Sequence, residues 1–485
     1  MPLILPANTL SAAGHDVANS CRFNDDDGDN LSKAYGGASD TNFTWSAWIK
    51  RCSPGGGTEA VFSHWNGSSD ANRFVIYFEG DSLVAYHNNS GGSAADMYVK
   101  TTAVYRDPSA WYHFVVGVDT TQGTAGNRIK IYTNGVQQTS LSQTTYPDQN
   151  YAVFTFTDGG TTYIGRNPSS DSAPTKFFDG YMAEVFLIDG TTYAASDFGE
   201  FNEDSPTIWQ PKDVTGLTFG TNGTYLDFED SGNLGDDESG NENDLTENNI
   251  VAADQCTDTP TNNFSTINPL YISGTGGQLT LSDGNTTYIP ASSGHCYSRS
   301  SMGFSSGNWY LEAKITEVSA GESAGIGVVD TELANTSDPQ AATVQGGFQV
   351  QFSSSNTNLN ENASGGSQSS ITTSFASGDI AQMAVDADNG KIWIGHNGTW
   401  WNDDNASTTL DASNHDMTYT AGPIMQFYFQ AYLSSSNYDT TNVNFGCPAF
   451  AISSGNNDAN GYGNFEFAVP SGFYSLCTKN LAEYG

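Results

Sequence analysis

The sequence predicts an all-β protein, and three observations support that prediction. Aromatic residues make up 12% of the 485 residues, with 24 Tyr and 27 Phe, and aromatic side chains suit the half-buried surface of a pleated sheet. The chain contains 52 Gly, which together with Ser, Thr and Asn supply the short turns between strands. Many short segments alternate apolar and polar residues, whereas no segment has a convincing amphipathic helical period.

The alternation is clearest in the first two hundred residues. The segment WYHFVVGVD (111–119) places Trp, His, Val and Gly on one face and Tyr, Phe and two Val on the other. The segment NRIKIYTNG places Ile129 and Ile131 on one face and ends in Asn134-Gly135, a dipeptide that favours a tight hairpin turn. FDGYMAEVFLIDG (178–190) predicts one more strand.

These strand segments carry a family resemblance. The matching pieces, in chain order, are FTWSAWIKR (43–51), WYHFVVGVD, RIKIYTNGVQ (128–137), YIGRN (163–167) and FFDGYMAEVFLIDG (177–190). Their order and spacing resemble the laminin-G-like, concanavalin-type lectin domain. The resemblance implies two packed, curved antiparallel sheets. Many members of the family bind sugars or proteins at one rim, and some use calcium.

The second half of the chain resembles a different family. NWYLEAKITEV (308–318) alternates from Trp309 onward, and GIGVVD, GDIAQMAVDADNGKIWIGHNGTW, VNFGCPAF and FAVPSGFYSL follow it. This order is similar to that of a SPRY domain. The resemblance implies a second concanavalin-like sandwich, which usually recognises partners through loops at its rim.

The segment between these regions, 201–270, is rich in Gly, Asn and Asp, with one strand-like piece at 224–228. We therefore expect two concanavalin-like antiparallel β-sandwiches of jelly-roll type, joined by this connector. The expected domains are an N-terminal attachment segment (1–20), a laminin-G-like β-sandwich (21–200), the Gly/Asn/Asp-rich connector (201–270) and a SPRY-like β-sandwich (271–485).

The connector and the N-terminal segment resemble structural proteins of tailed bacteriophages, notably marine ones. WQPK, FGTNGTYLDFEDS, DDESGNENDLT and DTPTNNFSTINPL follow one another as in those proteins, and LPANTLSAAGHDVANSCRFNDDDGDNLSKAYG looks like their start. The resemblance implies a virion protein, either a tail-fibre-like appendage or a head fibre or decoration. Its expected partners are other virion proteins of tail or capsid and a host-surface glycan. A homo-oligomer is expected, with a trimer favoured by analogy with phage fibres.

Charge and hydropathy exclude several function classes. Sixteen basic residues against 54 acidic ones give a net charge of −38, which leaves no basic groove for nucleic acid or an anionic membrane surface. The start MPLILPANTL lacks the basic region of a signal peptide, so synthesis in the host cytoplasm is expected. No apolar run approaches the roughly 18 residues that membrane insertion requires. The six cysteines (21, 52, 256, 296, 447 and 477) are scattered, and we expect them to be free thiols.

Aromatic side chains are the candidate glycan-binding residues, because a ring can stack on the C–H surface of a sugar. In the first sandwich they are His64, Trp65, Tyr86 and His87, near the ends of predicted strands. In the second they come from NGKIWIGHNGTWW (389–401), where Trp393 reads as a structural residue. Trp400 and Trp401 point to opposite faces of a strand, so one is expected in the core and the other in solvent. Scattered surface rings without a function are the alternative.

Two acidic turns are candidate calcium sites, because oxygen-rich loops can hold this ion. Their residues are Asp25, Asp27 and Asp29 in one turn, and Asp236, Asp237 and Asp244 in the other. The spacing of an EF-hand is absent, and a plain acidic turn is the alternative. Calcium is the one cofactor that the sequence suggests.

Catalysis is not expected. Glycoside hydrolysis needs two carboxylates flanking the bond, and laminarinase-type enzymes of this fold carry Glu-x-Asp-x-Glu along one strand. That motif is absent, since Asp227 and Glu229 lack a third acid and Glu184 stands alone in its predicted strand. A carbohydrate-binding adhesin outside a virion and a glycan depolymerase remain as alternatives.

Overall fold

The computed structural model describes residues 14–37, 41–55, 57–66, 73–88, 96–153, 155–156, 159–167, 176–275, 278–317, 323–332, 347–352, 357–361, 368–371, 374–433 and 440–485. The chain divides into two compact units, within Leu10–Thr261 and Asn262–Gly485, which we call the first and second sandwich. The all-β prediction is confirmed. Within the described ranges the one α-helix, α1, is Thr478–Tyr484, and no helix there is long and apolar enough to cross a membrane.

The first sandwich contains the strands β1 to β18. They are β1 (Ser20–Phe23), β2 (Asn30–Tyr35), β3 (Asn42–Arg51), β4 (Thr58–Trp65), β5 (Arg73–Glu79), β6 (Ser82–Asn88), β7 (Met97–Thr101), β8 (Trp111–Asp119), β9 (Ile129–Thr133), β10 (Val136–Gln137), β11 (Leu141–Thr145), β12 (Gly160–Ile164), β13 (Gly180–Asp189), β14 (Gly199–Phe201), β15 (Trp209–Pro211), β16 (Thr224–Leu226), β17 (Thr246–Asn248) and β18 (Gln255–Cys256). Short 3-10 helices lie at Ala125–Asn127, Ala195–Asp197 and Ala252–Asp254.

Two antiparallel sheets form the first sandwich. Sheet A has the order β10-β9-β8-β3-β13-β1-β18, with β16 paired to β13, and sheet B has the order β11-β7-β6-β5-β4-β12-β2-β17. Strands β16, β17 and β18 come from the Gly/Asn/Asp-rich segment and pair with β13, β2 and β1. That polar segment therefore supplies strands to both sheets of the first sandwich.

Rings from both sheets meet in the core of the first sandwich. Phe43 of sheet A stacks on Phe62 of sheet B with centroids 5.6 Å apart, and Phe74 contacts both rings edge-on. As predicted, Ile129 and Ile131 are buried on the core side of β9. The turn that follows them has φ values of 47° at Asn134 and 78° at Gly135. Positive φ at both positions is the hairpin geometry that an Asn-Gly dipeptide favours.

The outer face of sheet A is covered by the chain that follows β13. Phe186 on that face is 1% exposed and stacks on Tyr225 with centroids 4.4 Å apart. Trp209 donates a hydrogen bond from Nε1 to His113 Nδ1 at 3.1 Å. A Cβ on Gly135 would lie 2.4 Å from the Trp209 ring. Only glycine at this position therefore lets Trp209 pack against the hairpin turn. Sheet A is thus packed on both faces.

The second sandwich contains the strands β19 to β34. They are β19 (Ser273–Thr275), β20 (Leu279–Ser282), β21 (Thr287–Pro290), β22 (Gly294–Arg299), β23 (Asn308–Ile315), β24 (Ser323–Asp330), β25 (Gly347–Phe352), β26 (Thr357–Glu361), β27 (Gln368–Ile371), β28 (Ile380–Asp386), β29 (Lys391–His396), β30 (Thr399–Trp400), β31 (Met417–Thr418), β32 (Met425–Leu433), β33 (Thr441–Asn444) and β34 (Tyr474–Ser475). Sheet C has the order β19-β22-β32-β24-β25-β26-β27. Sheet D has the order β20-β21-β33-β23-β28-β29-β30, with β31 beside β29 and β34 parallel to β23.

A buried carboxylate fixes the cover of sheet D. Glu312 is fully buried in β23 and accepts hydrogen bonds from the backbone N–H groups of Glu466 and Phe467 at 2.9 and 2.8 Å. Tyr310 Oη and Asn444 Nδ2 donate to the same carboxylate. Burial raises the pKa of Glu312 to about 7 in spite of these bonds. Glu312 therefore helps to hold the segment that follows β33 over the outer face of sheet D, where Phe465 and Phe473 of that segment also pack.

The cysteines differ from the prediction in part. Cys21, Cys52, Cys296 and Cys477 are buried thiols outside any disulfide, as expected. Cys256 and Cys447 are disulfide-bonded, so the expectation of six free thiols is wrong for these two. Sequence spacing could not reveal this, since disulfide geometry depends on how closely two Cα atoms approach in the fold.

Candidate functional site

Aromatic side chains occupy the outer face of sheet B, and we call this set the tyrosine face: Trp65, Tyr77, Tyr86, Tyr98 and Tyr163. Successive side chains of a strand point to opposite faces, so Phe74, Ile76 and Phe78 enter the core while the intervening residues of β5 point outward. Cross-strand register places Val75, Tyr86 and Tyr98 side by side. All five aromatic side chains of the tyrosine face are half-buried.

The rings of the tyrosine face are held by contacts with one another and with arginine. Tyr86 meets Tyr77 and Tyr98 edge-on, with centroid distances of 6.4 and 6.0 Å. The Arg73 guanidinium carbon lies 5.7 Å from the Tyr86 centroid, and that of Arg166 lies 4.5 Å from Tyr163. Edge-on pairs and cation–π contacts restrict the rotation of a ring. The tyrosine face is therefore ordered before any ligand arrives.

A small polar network lies at one end of the tyrosine face. Glu79 Oε2 accepts hydrogen bonds from Lys100 Nζ and from Tyr98 Oη, each at 2.7 Å. The hydrogen bonds from Lys100 and Tyr98 lower the pKa of Glu79. Burial and the hydrogen bond to Glu79 raise the pKa of Tyr98 to about 12. Glu79 is thus a carboxylate, and Tyr98 a neutral donor, throughout the physiological pH range.

A shallow pocket of about 130 Å³ opens on the same face. Its lining residues are Thr58, Arg73, Val75, Tyr77, Tyr86, Asn167 and Lys176. This volume is below the roughly 300–1,000 Å³ of pockets that enclose a small molecule. The pocket can hold one chemical group of a ligand whose remaining surface lies on the rings beside it.

Of the four glycan-binding candidates in the first sandwich, two point into the core. His64 is fully buried and hydrogen-bonded through Nδ1 to Thr162 Oγ1 at 2.9 Å, and burial lowers its pKa to about 3. His87 is also fully buried, and burial lowers its pKa to about 4. The expectation that these imidazoles line a rim is corrected, because strand alternation turns them inward. Trp65 and Tyr86 belong to the tyrosine face.

The two candidates in the second sandwich are both buried. Trp400 is 3% exposed and packs with Trp393 and Tyr310 on the outer side of sheet D, whereas Trp401 is 6% exposed and packs in the core. Their opposite orientation is confirmed, but the expectation of one exposed ring is wrong because Phe465 and Phe473 complete the cluster around Trp400. Trp393 is structural, since its Nε1 donates to the carbonyls of Asp411 and Asn414, each at 2.9 Å.

A further aromatic row on sheet C is only partly accessible, because two of its four rings are buried. His295 lies 4.5 Å from Tyr432, and Tyr297 stacks on Tyr428 at 5.7 Å, all on the outer side of β22 and β32. Tyr297 and Tyr428, however, are 2% and 1% exposed. The tyrosine face of the first sandwich therefore remains the better candidate.

The first acidic turn does not form a calcium cage. Asp29 Oδ2 accepts from the backbone N–H of Asn24 at 2.9 Å, and Asp27 Oδ2 accepts from Asn24 Nδ2 at 3.0 Å. Burial raises the pKa of Asp29 to about 7, and burial, with the neighbouring Asp26, raises that of Asp25. Asp29 Oδ1 and Asn30 Oδ1 are buried without a hydrogen bond. Nevertheless, in the described part of the chain no three His, Cys, Asp or Glu side chains are placed to share a metal ion.

The second acidic turn is ordered by its own hydrogen bonds. Asp237 accepts from the backbone N–H groups of Tyr225 and Ser239 at 2.9 Å and from that of Asn243 at 2.8 Å. Asp244 Oδ1 accepts from the Asp237 N–H at 3.2 Å. Asp236 lies in the turn, and charge from Asp244 contributes, after burial, to raising its pKa. The carboxylates therefore order this polar loop by accepting hydrogen bonds from backbone N–H groups. This arrangement of the residues does not fit a calcium site.

One buried acid was not recognised from the sequence as part of a cluster. Glu184 has φ of 50° at a β-bulge, where the register of β13 against β3 shifts between Ala183 and Phe186. Its carboxylate accepts from Tyr225 Oη at 3.0 Å and lies 3.5 Å from His15 Nε2, and this contact raises the pKa of His15. Glu184 is 4% exposed beneath the Tyr225 ring. No open pair of acids flanks a bond here, so the geometry does not fit glycoside hydrolysis.

The comparison with protein families agrees with this geometry. Residues 25–195 match the model of the concanavalin A-like lectin/glucanases superfamily. Over this range the first sandwich is similar to the lectin-type domains of that superfamily. The matched range includes every strand that carries the tyrosine face. No curated protein sequence matches the chain.

Solved structures to which this chain is similar include the following three. The SPRY domain of human HERC1 is 18% identical, with 36% of this chain and 96% of that chain covered and a TM-score of 0.28. Domains LG4-5 of the mouse laminin alpha1 chain are 9% identical, with 91% and 92% covered and a TM-score of 0.28. A native heptameric SAP-like pentraxin from Limulus polyphemus is 16% identical, with 37% and 80% covered and a TM-score of 0.27.

Proposed function

We propose that the chain is a non-enzymatic binding protein whose tyrosine face holds a carbohydrate. The observation that carries the proposal is the placement of the five aromatic side chains on the outer face of sheet B, half-exposed and already ordered. Aromatic rings offer flat apolar surface to the C–H groups of a sugar, while their hydroxyl groups and neighbouring polar groups bond its hydroxyls. The face is wide enough for several sugar units, because it extends over the five neighbouring strands β7, β6, β5, β4 and β12.

Weak contacts repeated over many copies would give this protein its affinity. A single sheet face of this kind buries little area, and small interfaces bind weakly. Linking several copies converts later binding events into intramolecular ones and raises the overall affinity. We therefore propose a homo-oligomer, with a trimer as the favoured form, that recognises a repeating surface polysaccharide.

The biological setting that we propose is a phage virion. The support is the resemblance of the N-terminal segment and the segment 201–270 to structural proteins of tailed phages. In this setting the chain is a tail-fibre-like appendage or a head fibre or decoration, it contacts other virion proteins, and it recognises a glycan on the host surface. Electron microscopy of particles labelled with an antibody to this chain tests the setting. Labelled particles are expected, and antibody found on free protein alone would contradict it and favour an adhesin outside a virion.

The binding proposal is tested with a glycan array and the full chain displayed at high valency. Tyr86→Ala is expected to lower the affinity for the most tightly bound glycan about tenfold, which is the order of magnitude expected for the loss of one stacked ring. Phe201→Ala is the matched control, because Phe201 is an exposed ring, 43% accessible, at the covered side of the same sandwich. Thermal unfolding of both variants separates lost binding from lost folding. Equal affinities of Tyr86→Ala, Phe201→Ala and the parent chain would contradict the proposal, and release of reducing ends would instead indicate a depolymerase.

A further inference from the structure

We propose that the pocket beside Tyr86 takes the acidic group of a charged sugar, so that the ligand is an anionic polysaccharide. This inference rests on the proposed function and names the class of glycan that the same face binds. The shared chemistry is a carboxylate or sulfate on a sugar ring. The ring stacks on the tyrosine face while its acidic group enters the pocket.

The charge of the pocket is opposite to that of the chain. Acidic residues outnumber basic ones by 54 to 16 in the whole chain. The seven lining residues within the described part of the chain include Arg73 and Lys176 and no carboxylate, and the neighbouring Glu79 is already bonded to Lys100 and Tyr98. A concave site with one sign of charge concentrates ligands of the other sign locally, even on a protein of unfavourable net charge. Two cations that converge on one small pocket therefore favour an anionic group as its occupant.

Arg73 is placed to contact a ligand that lies on Tyr86. Its guanidinium carbon is 5.7 Å from the centroid of that ring, and the cross-strand register sets Arg73 two residue pairs away from the Val75–Tyr86 pair, on the same face of the sheet. A guanidinium has a planar set of donors that matches the two oxygens of a carboxylate or the oxygens of a sulfate. A sugar stacked on Tyr86 thus presents its acidic substituent to Arg73.

The backbone of Lys176 has a conformation that residues other than glycine rarely adopt. Its φ is 76°, and its carbonyl accepts a hydrogen bond from the Ala60 N–H in β4 at 3.2 Å. Strained backbone of this kind persists where the surrounding structure imposes it, and it concentrates at functional sites. The backbone hydrogen bond from β4 fixes the exposed Lys176 at the pocket. Strand β4 pairs with β5, the strand that carries Arg73.

Asn167 adds a second, independent observation. It is 5% exposed, it lines the pocket, and its Oδ1 is buried without a hydrogen-bond partner in the described part of the chain. Buried polar atoms are nearly always paired, so an orphaned acceptor requires an explanation. A hydroxyl of the sugar that carries the acidic group is a donor of the kind this oxygen lacks. The pocket therefore offers cations for an acid and an acceptor for a neighbouring hydroxyl.

The test compares two oligosaccharides of equal length on the full chain, a hexuronate oligomer and a neutral hexose oligomer, with a sulfated oligomer as a third arm. We expect the hexuronate or the sulfated oligomer to bind more tightly than the neutral one. Lys176→Gln should lower the affinity for the tighter acidic oligomer about tenfold, the effect of losing one charge-assisted hydrogen bond. Lys130→Gln, which removes the same charge from β9 of sheet A, is the control and should change affinity less than twofold. The better acidic oligomer identifies the group as carboxylate or sulfate.

A second variant keeps the test independent of folding. Lys176→Gly removes the charge and also relieves the positive φ, so it should fold at least as well as the parent and lose acidic-glycan affinity to the same degree as Lys176→Gln. Retained affinity in Lys176→Gly, or equal binding of acidic and neutral oligomers that still depends on Tyr86, would overturn this inference alone. Absence of binding to all three oligomers together with no effect of Tyr86→Ala would overturn the proposed function as well.

Discussion

Sheets A and B of the first sandwich share one core but have contrasting outer faces. On sheet A the outer face is covered by the same chain, through Phe186, Tyr225 and Trp209. On sheet B the outer face carries half-exposed aromatic rings beside Arg73 and Lys100. Both faces are aromatic, so composition alone does not distinguish structure from binding. The two faces differ in whether a segment that follows in the sequence packs over the rings.

The largest expected effect comes from removing a ring on the covered side. Phe186→Ala deletes a ring that is 1% exposed and stacked on Tyr225, and we expect a loss of about 4 kcal/mol in the free energy of unfolding, as for other buried Phe→Ala changes. Tyr98→Ala on the tyrosine face should cost about 1 kcal/mol, because that ring is half-buried. Urea unfolding of the two variants measures the difference. Equal losses would contradict the contrast between the faces.

The ion pairs of the two sheets sharpen the comparison. Lys50 Nζ and Asp258 Oδ2 are 2.6 Å apart, with both side chains at most 1% exposed, and Trp111 Nε1 donates to the same carboxylate at 2.9 Å. Asp258→Ala leaves a buried ammonium unpaired and should cost about 3 kcal/mol. The double variant Lys50→Met with Asp258→Leu should recover most of that loss.

The matching pair on sheet B is Lys100 with Glu79, whose side chains are 21% and 42% exposed. Glu79→Gln is expected to change stability by less than about 1 kcal/mol, since exposed pairs contribute little. Chemical unfolding of all three variants provides the readout. A loss from Glu79→Gln as large as that from Asp258→Ala would show that the two ion pairs are equally important.

The pH dependence of stability should also differ between the sandwiches. In the first sandwich burial raises the pKa of Asp179 to about 8 and those of Asp29 and Glu59 to about 7. In the second sandwich burial raises the pKa of Glu312 to about 7 and that of Asp416 to about 6. A carboxyl whose folded pKa is raised keeps a proton that the unfolded chain releases. Its contribution to stability is present at low pH and is lost as pH rises through the folded pKa.

Asp179→Asn is the variant that tests this dependence. Between about pH 5 and 8, that is, between the ordinary pKa of an Asp and the raised value of Asp179, it should remove a slope of up to about 1.4 kcal/mol per pH unit from the unfolding free energy of the first sandwich. Asp148→Asn, at an exposed position, is the control. Thermal unfolding followed from pH 5 to 9 checks it, and an unchanged slope in Asp179→Asn would mean that another buried group carries the effect.

The sequence predicted the strands correctly, but it did not predict which sheet faces are covered by other segments of the chain. Alternation in β8, β9 and β23 separated the two faces of each strand correctly, because a strand has a period of two and its pattern is local. The Asn134-Gly135 turn was predicted for the same reason. The same alternation, applied to RFVIYFE and SLVAYHN, could have turned His87 inward and Tyr77 outward. Burial of Trp400 could not be predicted, since it depends on Phe465 and Phe473, more than sixty positions along the chain.

The candidate site was predicted in part. Trp65 and Tyr86 were identified from their aromatic character. Arg73, Asn167 and Lys176 join the site only through the pairing of β12, β4, β5 and β6 and the backbone bond from Ala60 to Lys176. The acidic turns were correctly located but given the wrong role, because carboxylates in a turn bond backbone N–H groups as readily as they bind an ion. Which acceptors are already used by the chain is a property of the folded structure.

Protection of tyrosine side chains from hydroxyl-radical oxidation, read by mass spectrometry, tests the central claim most directly. With a saturating acidic oligosaccharide we predict reduced oxidation of Tyr77, Tyr86 and Tyr98 and unchanged oxidation of Phe201 in the full chain. Protection confined to the second sandwich, or unchanged oxidation of all three tyrosines under conditions where the glycan is bound, would contradict the assignment of the tyrosine face as the binding site.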